Sequence, residues 1–570
     1  MIVKGSPKFE QWKIENNIHA EVHFYQPPAP NVAPTETTAH STPAAVSLPV
    51  SSPLPEGAPA SVTGLLASEG EPVLSPGMTV PKGAPLHLPM HAYTNTPSPP
   101  STGDTLTQSA MLKRPDKAQF IAAQQSEIQG LVDSGVFSIH PIAHLPPRAR
   151  LLNAIWSYKH KRLPTGAFHK YKSRLCSDGS QQRHGQDYCE TYAPVVSWST
   201  VRLILSLASM RGLRSKQVDF TQAFTQAPID EGVFMKIPQG WHISNGILCQ
   251  NVDPTHHDTT HYIKLLKTLY GVKQAARQWY KHISAGLHAL GFKTSNIDPC
   301  LFLKDDCIVL LYVDDCLFFS KDDTTIDSII NQLSTSFKTG DQGSIQDFLG
   351  IRITTDAQSR IHLRQEGLIQ EILQDLGLAS SHPKPTPAIH VLHPDHNGHP
   401  REEFWNYCSI IGKLNFLAQM TRPDISMAVH NCARFSNKPT QLHEQAVKRL
   451  GPYLAHTKDK GLIYNPDSSC ALDMFVDADF SGTWHKEFSH LRDCVLSRTG
   501  YVIIYNGCPI QWGSKLQSEI ALSTTEAEYI ALSTATRELI PLCHILCEIS
   551  THSTFALQPS SFKLPPSRIF

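Results

Sequence analysis

Three things are scarce in this 570-residue chain: net charge, cysteines at metal-binding spacing, and long apolar runs. Fifty Lys and Arg balance fifty Asp and Glu, so overall charge makes no case for a nucleic-acid-binding polycation. The 13 cysteines are scattered, with no C-x-x-C pair; this argues against a zinc knuckle or dithiol redox centre and fits a reduced, intracellular protein. A membrane span needs about 18 consecutive apolar residues. The longest candidate, Cys307 to Phe319, is broken by Asp314 and Asp315. The opening MIVKGSPKFEQWKIENN lacks the apolar segment of a secretion signal. No membrane association is expected.

What is present falls into blocks. Residues 27–100 hold 17 of the 42 prolines with much Ser, Thr and Ala, a composition that buries too little apolar surface to offset its ordering entropy. The reading is a disordered linker over 27–105, preceded by a remnant of an upstream module at 1–26. Ordered segments are expected at 110–390, 400–465 and 470–550, with a tail at 551–570, since a chain of this length exceeds one core. Asp116 is placed to cap a helix carrying Phe120, Ile128 and Leu131. Ile155 to Leu175 reads as strand broken by Pro164-Thr165-Gly166, and Val201 to Met210 as a buried helix. Tyr262 to Leu290 reads as mainly helical after Tyr270-Gly271, and Leu301 to Phe319 as a β-hairpin.

Charge is uneven locally. From Arg148 to Arg174 there are eight Lys and Arg and no acid, either a solvated face or a phosphate-contacting surface. The sharpest feature is Tyr312-Val313-Asp314-Asp315 inside an apolar hairpin. Two adjacent carboxylates there are costly unless neutralised, and Mg²⁺ favours such hard oxygens. Asp219, ending the short strand Val218-Asp219-Phe220, is the candidate third carboxylate for a two-metal nucleotidyl transfer.

Tyr312-Val313-Asp314-Asp315 resembles the Y-V-D-D tetrad of copia-type LTR retrotransposon reverse transcriptases. Further blocks resemble that family in the same order: Tyr171-Lys172-Ser173-Arg174-Leu175, Tyr192-Ala193-Pro194-Val195-Val196, Val218 to Phe224, Leu269 to Tyr280 and Phe348-Leu349-Gly350-Ile351. Thr421-Arg422-Pro423-Asp424-Ile425 and Ser523 to Tyr529 extend it, so the likeness spans about residues 110–550.

The resemblance implies an α/β (α+β) right hand: fingers and palm at 110–390 with an antiparallel palm sheet, thumb-like connection helices at 400–465, and a ribonuclease H-like α/β domain at 470–550. It implies an RNA-directed DNA polymerase using Mg²⁺ or Mn²⁺, an RNA template, a DNA primer/template and dNTPs, among other products of a retroelement polyprotein. The expected location is the cytoplasm, in a virus-like particle, with the nucleus as a second compartment. By block matching, Asp219, Asp314 and Asp315 resemble the catalytic, metal-holding acids. Phe224 resembles the aromatic that excludes a 2′-hydroxyl, and Tyr270 a residue packed near the nucleotide. Lys172 and Arg174 are expected at the triphosphate.

Asp477 and Glu528 resemble two ribonuclease H carboxylates. Residues 549–570 contain no acid, so the expectation is an incomplete domain with a bare sheet edge and weak or absent nuclease activity. Asp133-Ser134-Gly135 matches the aspartic-protease triplet but ends a predicted helix, where Gly135 is a natural cap. A viral RNA polymerase is disfavoured by Phe224. The alternative from another class is a decayed or repurposed remnant that binds nucleic acid without catalysis. The retained Asp219, Asp314, Asp315 and Phe224 argue against decay of the palm, while the clipped C-terminal segment argues for decay of the whole element.

Overall fold

The computed structural model describes residues 105–162, 168–341, 343–401, 404–466 and 472–552, with only the backbone of 21–22 and 567–569. The Pro-rich linker, the Pro164–Gly166 turn and most of segments 1–26 and 551–570 lie outside the described residues.

The largest core surrounds a six-stranded antiparallel sheet. Its order is Lys293–Thr294, Leu301–Lys304, Cys307–Tyr312, Asp315–Ser320, Arg214–Phe220 and Thr339–Asp341. Successive strand residues point to opposite faces, yet Cys307 to Leu311 and Cys316 to Phe319 are all buried. Both faces are therefore covered, which accounts for the unbroken apolar sequence. Helices Trp198–Arg211, Ala275–Ala289 and Asp323–Ser334 supply residues to the same core. The expected hairpin over 301–319 is a three-stranded meander, and His261–Leu265 is a strand. His261–Leu265, ahead of the Tyr270-Gly271 break, pairs on both sides, with Phe137–Pro141 and Phe234–Lys236, and the helix expected after that break is Ala275–Ala289.

A second core joins the hairpin Ala154–Arg162 and Phe168–Ser177 to helix Lys117–Asp133. Asp116 precedes that helix but makes no capping bond; its carboxylate is taken by Arg114 and His160 instead. Gly135, at φ 59°, follows the helix end as expected of a cap, leaving Asp133-Ser134-Gly135 a terminus and no protease element.

Helices Glu366–Asp375, Tyr407–Met420, Ser426–Ala433 and Gln441–His456 form a third core. The Thr421–Ile425 block is structural here: buried Arg422 grips Asp424 through two nitrogens and also donates to Thr457.

The C-terminal sheet runs Glu21–Val22, Ser567–Ile569, Leu472–Asp479, Arg498–Tyr505, Cys508–Leu516. This corrects the expectation of a bare edge: Ser567–Ile569 pairs parallel with Leu472–Met474 despite the weak apolar pattern of the tail. Helix Thr524–His552 is long and apolar enough to cross a bilayer by composition. Its Ala527, Ala531, Ala535, Leu539 and Leu542 are buried.

Candidate active site

The turn between Cys307–Tyr312 and Asp315–Ser320 has just two residues, Val313 and Asp314. Val313 sits at φ 55°. For a β-branched residue this left-handed conformation costs about 1–3 kcal/mol, so the surroundings must impose it. The Trp279 indole Nε1 donates to the Val313 carbonyl at 2.6 Å, and the Phe220 amide donates to the Asp314 carbonyl at 2.8 Å.

Asp315 stands directly opposite Asp219 in the ladder, so the two side chains leave one face while Asp314 occupies the tip. Burial, then Asp314 and Asp219, push the Asp315 carboxyl up to about 6, against a hydrogen bond from Gln217 Nε2 at 3.3 Å. Burial and Asp314 also raise Asp219, while Lys161, Lys172 and Arg174 pull it down. Among the described residues, no three such groups close on one point as preformed ligands do. The donor set still suits a divalent cation: three hard oxygen ligands whose mutual repulsion a cation would relieve.

The basic hairpin faces these acids electrostatically. Lys159 pairs with Lys172 and Lys161 with Lys170, and like charges set directly opposite weaken a ladder, so this surface favours an anion. Burial, then repulsion from Arg174 and Lys161, brings Lys172 down to about 8; Glu127 opposes that fall. The Arg174 guanidinium lies 4.7 Å from the Tyr270 ring centre, and Tyr270 meets Phe224 edge-on at 5.5 Å. The sequence explains this row. The Ser177 amide donates to the Tyr270 carbonyl at 2.8 Å, and a Cβ on Gly271 would fall 2.1 Å from the Ser177 carbonyl oxygen. Glycine at 271 is what lets the Tyr270 segment lie against the end of the basic strand.

The second acid pair is on the C-terminal sheet. Asp477 projects from Leu472–Asp479, and Glu528 lies in the second turn of Thr524–His552. Burial, then Asp477, raises the Glu528 carboxyl. Asp479 is opposite Arg498, whose guanidinium donates to His430 and Asn431. The structure thus gathers Asp219, Asp314 and Asp315 with Phe224, Tyr270, Lys172 and Arg174, and holds Asp477, on the C-terminal sheet, near Glu528 on helix Thr524–His552.

Supporting residues were missed in the sequence. Gln217 bridges Asp315 and the Asp347 carbonyl, and Trp279 holds the turn. Gln182 donates to Gln274 and accepts from the Lys273 amide, fixing the Tyr270 segment. Glu127 accepts from Gln222. Glu127 did carry a signal, as an acid among the otherwise uncharged inward positions Phe120, Gln124, Ile128 and Leu131.

Residues 137–390 match the family described as reverse transcriptase (RNA-dependent DNA polymerase). The chain is 34% identical over 457 residues to the Retrovirus-related Pol polyprotein from transposon TNT 1-94 of Nicotiana tabacum, covering 78% of this chain and 32% of that protein. It is 31% identical over 442 residues to the Retrovirus-related Pol polyprotein from transposon RE1 of Arabidopsis thaliana, covering 76% and 28%. A solved foamy viral protease-reverse transcriptase in complex with double-stranded DNA aligns over 74% of this chain and 60% of that one, at 14% identity and TM-score 0.39. The matched interval thus defines a reverse transcriptase domain. The chain belongs to the copia-type retrotransposon polyproteins and spans about a third or less of the length of these plant relatives.

Proposed function

We propose that the chain is an RNA-directed DNA polymerase that extends a DNA primer on RNA or DNA with dNTPs. The observation carrying this reading is one end of a sheet where Asp219, Asp314 and Asp315 adjoin the row Phe224–Tyr270–Arg174 and Lys172. In this reading the six-stranded sheet is the palm, the basic hairpin belongs to the fingers, and the helices after 400 form the connection. Asp219, Asp314 and Asp315 would hold Mg²⁺ or Mn²⁺. Bound there, the ions would ease ionisation of the primer 3′-hydroxyl and offset charge on the triphosphate. Lys172 and Arg174 bind the triphosphate, Tyr270 packs beside the nucleotide, and Phe224 fills the space beneath its sugar. The polypeptide contributes chiefly position and charge.

The test is primer extension by the full chain on RNA and DNA templates. Template-dependent dNTP incorporation, stopped by EDTA, is expected. No incorporation with either ion, by protein that still binds template, would overturn the proposal. Phe224→Ala should raise ribonucleotide relative to deoxynucleotide incorporation by roughly tenfold or more, about the 1–3 kcal/mol that one steric contact discriminates; unchanged sugar selection would mean Phe224 does not face the sugar.

The C-terminal sheet is proposed as a ribonuclease H-like module of weak activity. Asp477 and Glu528 support one loosely held ion, and Asp479 is opposed to Arg498. On a labelled RNA–DNA hybrid, little cleavage is expected. Robust hybrid-specific cleavage that Asp477→Asn abolishes would refute this.

A further inference from the structure

Glu127 lies on helix Lys117–Asp133 and belongs to none of the motifs above. Its Oε2 accepts from Gln222 Nε2 at 3.3 Å, while Oε1 is buried with no hydrogen-bond partner. Gln222 is itself unusual, at φ 53°, three residues past Asp219 and two before Phe224. Its side chain lies against the helix at Gly130, where a Cβ would stand 3.4 Å from Gln222 Nε2, in ordinary contact. On its other side Glu127 is within electrostatic reach of Arg174 and Lys172 and close to the Leu175 amide. A buried carboxylate with one unsatisfied oxygen costs stability. Burial accordingly raises its pKa despite those cations.

We infer that Glu127 is a positioning residue for triphosphate binding: its charge holds Lys172 and Arg174 in place, and its Oε2 braces the Gln222 turn that carries Phe224. This rests on the polymerase reading and assigns a role to a residue outside the reacting groups. The charge balance explains the need. Lys172 faces Arg174 and Lys170 along its own strand and Lys159 and Lys161 from the paired strand, with Glu127 on the helix and Asp219 beyond. Among these neighbours Glu127 is the acid that no metal ion would occupy. Without it the cations repel one another across a half-buried surface and lose the arrangement a triphosphate needs.

The test is a double-mutant cycle read in steady-state primer extension by the full chain. Glu127→Gln keeps size and hydrogen bonding but removes charge. It should raise the KM for dNTP by about tenfold, roughly 1.4 kcal/mol, with kcat changed by less than about threefold. Glu127→Asp should recover most of that loss. In a Lys172→Met background, Glu127→Gln should change KM by only about threefold, because of its two charge partners Arg174 alone remains. An unmoved KM, or an equal effect with and without Lys172, overturns the inference while leaving the polymerase reading intact. If the wild-type chain extends no primer, the polymerase reading fails separately. Calorimetric titration with inorganic tripolyphosphate then decides: about tenfold weaker binding by Glu127→Gln supports the role of Glu127, and equal binding overturns it.

Discussion

Asp314→Asn or Asp219→Asn is expected to reduce primer extension by about 10³-fold or more while leaving template binding intact. Each substitution preserves shape and removes one negative charge from the sheet end where Asp315 stands opposite Asp219 and Asp314 occupies the turn. Removing one preorganised electrostatic group commonly costs 10²–10³-fold, and loss of a ligand to a catalytic ion costs more. Extension within about tenfold of wild type would remove these acids from the reacting centre.

The same charges should weaken the fold. A carboxyl whose pKa is higher folded than unfolded contributes stability that is complete below the unfolded value and lost as pH rises through the folded one. For Asp315 that loss is centred between the ordinary aspartate range and about 6, because burial and the other two acids oppose its ionisation. Asp315→Asn should therefore melt higher than wild type at about pH 8 and no higher at about pH 4, read without added divalent ions. Equal melting at both pH values would mean that the three acids do not repel in the free protein.

How much of this was legible in the sequence follows from where the causes lie. Asp314 and Asp315 announce themselves because two charges interrupt an otherwise apolar run, and the strands flanking them follow from that run. The partner strand is less visible. That Arg214–Phe220 lies beside Asp315–Ser320, bringing Asp219 opposite Asp315, is a pairing across 95 residues that periodicity cannot encode. The left-handed backbone of Val313 and Gln222 was hidden for a related reason. Neither residue type favours it, and both are held by distant groups, Trp279 and Glu127. The Phe348–Ile351 block was noticed only through its family likeness, yet it has a local cause: Leu349 at φ 53° and Gly350 at φ 79° form a two-residue hairpin turn. The tail strand Ser567–Ile569 has no pattern of its own and is defined by the edge it joins.

Arg202→Met should lower stability by about 3–5 kcal/mol, the loss of charge-assisted hydrogen bonds worth about 1.5–3 kcal/mol each. Arg202 sits in the second turn of Trp198–Arg211 in an apolar stretch, and it is 1% exposed. No carboxylate compensates it in the contacts described. It donates to the Ile510 and Met420 carbonyls, each at 3.1 Å, and to the Gln419 carbonyl. Its guanidinium lies 4.2 Å from the Trp512 ring centre and 5.8 Å from that of Trp198. Gln419 and Met420 end the helix Tyr407–Met420, where carbonyls lack intrahelical partners and the helix dipole is negative, so a cation is favoured there. Ile510 belongs to the C-terminal sheet. One side chain thus ties the helix packed on the carboxylate sheet, the end of a connecting helix and the C-terminal sheet. Burial lowers its pKa to about 10, which still leaves it charged at neutral pH. Methionine would fill much of the space, so the expected loss comes from the charge-assisted hydrogen bonds that the guanidinium makes to the Ile510, Gln419 and Met420 carbonyls. Differential scanning calorimetry should show the unfolding midpoint falling by several degrees. Limited proteolysis of the full chain should also be faster than in wild type. A midpoint within about one degree of wild type would mean that water replaces the guanidinium at no cost, and that Arg202 does not couple the sheets.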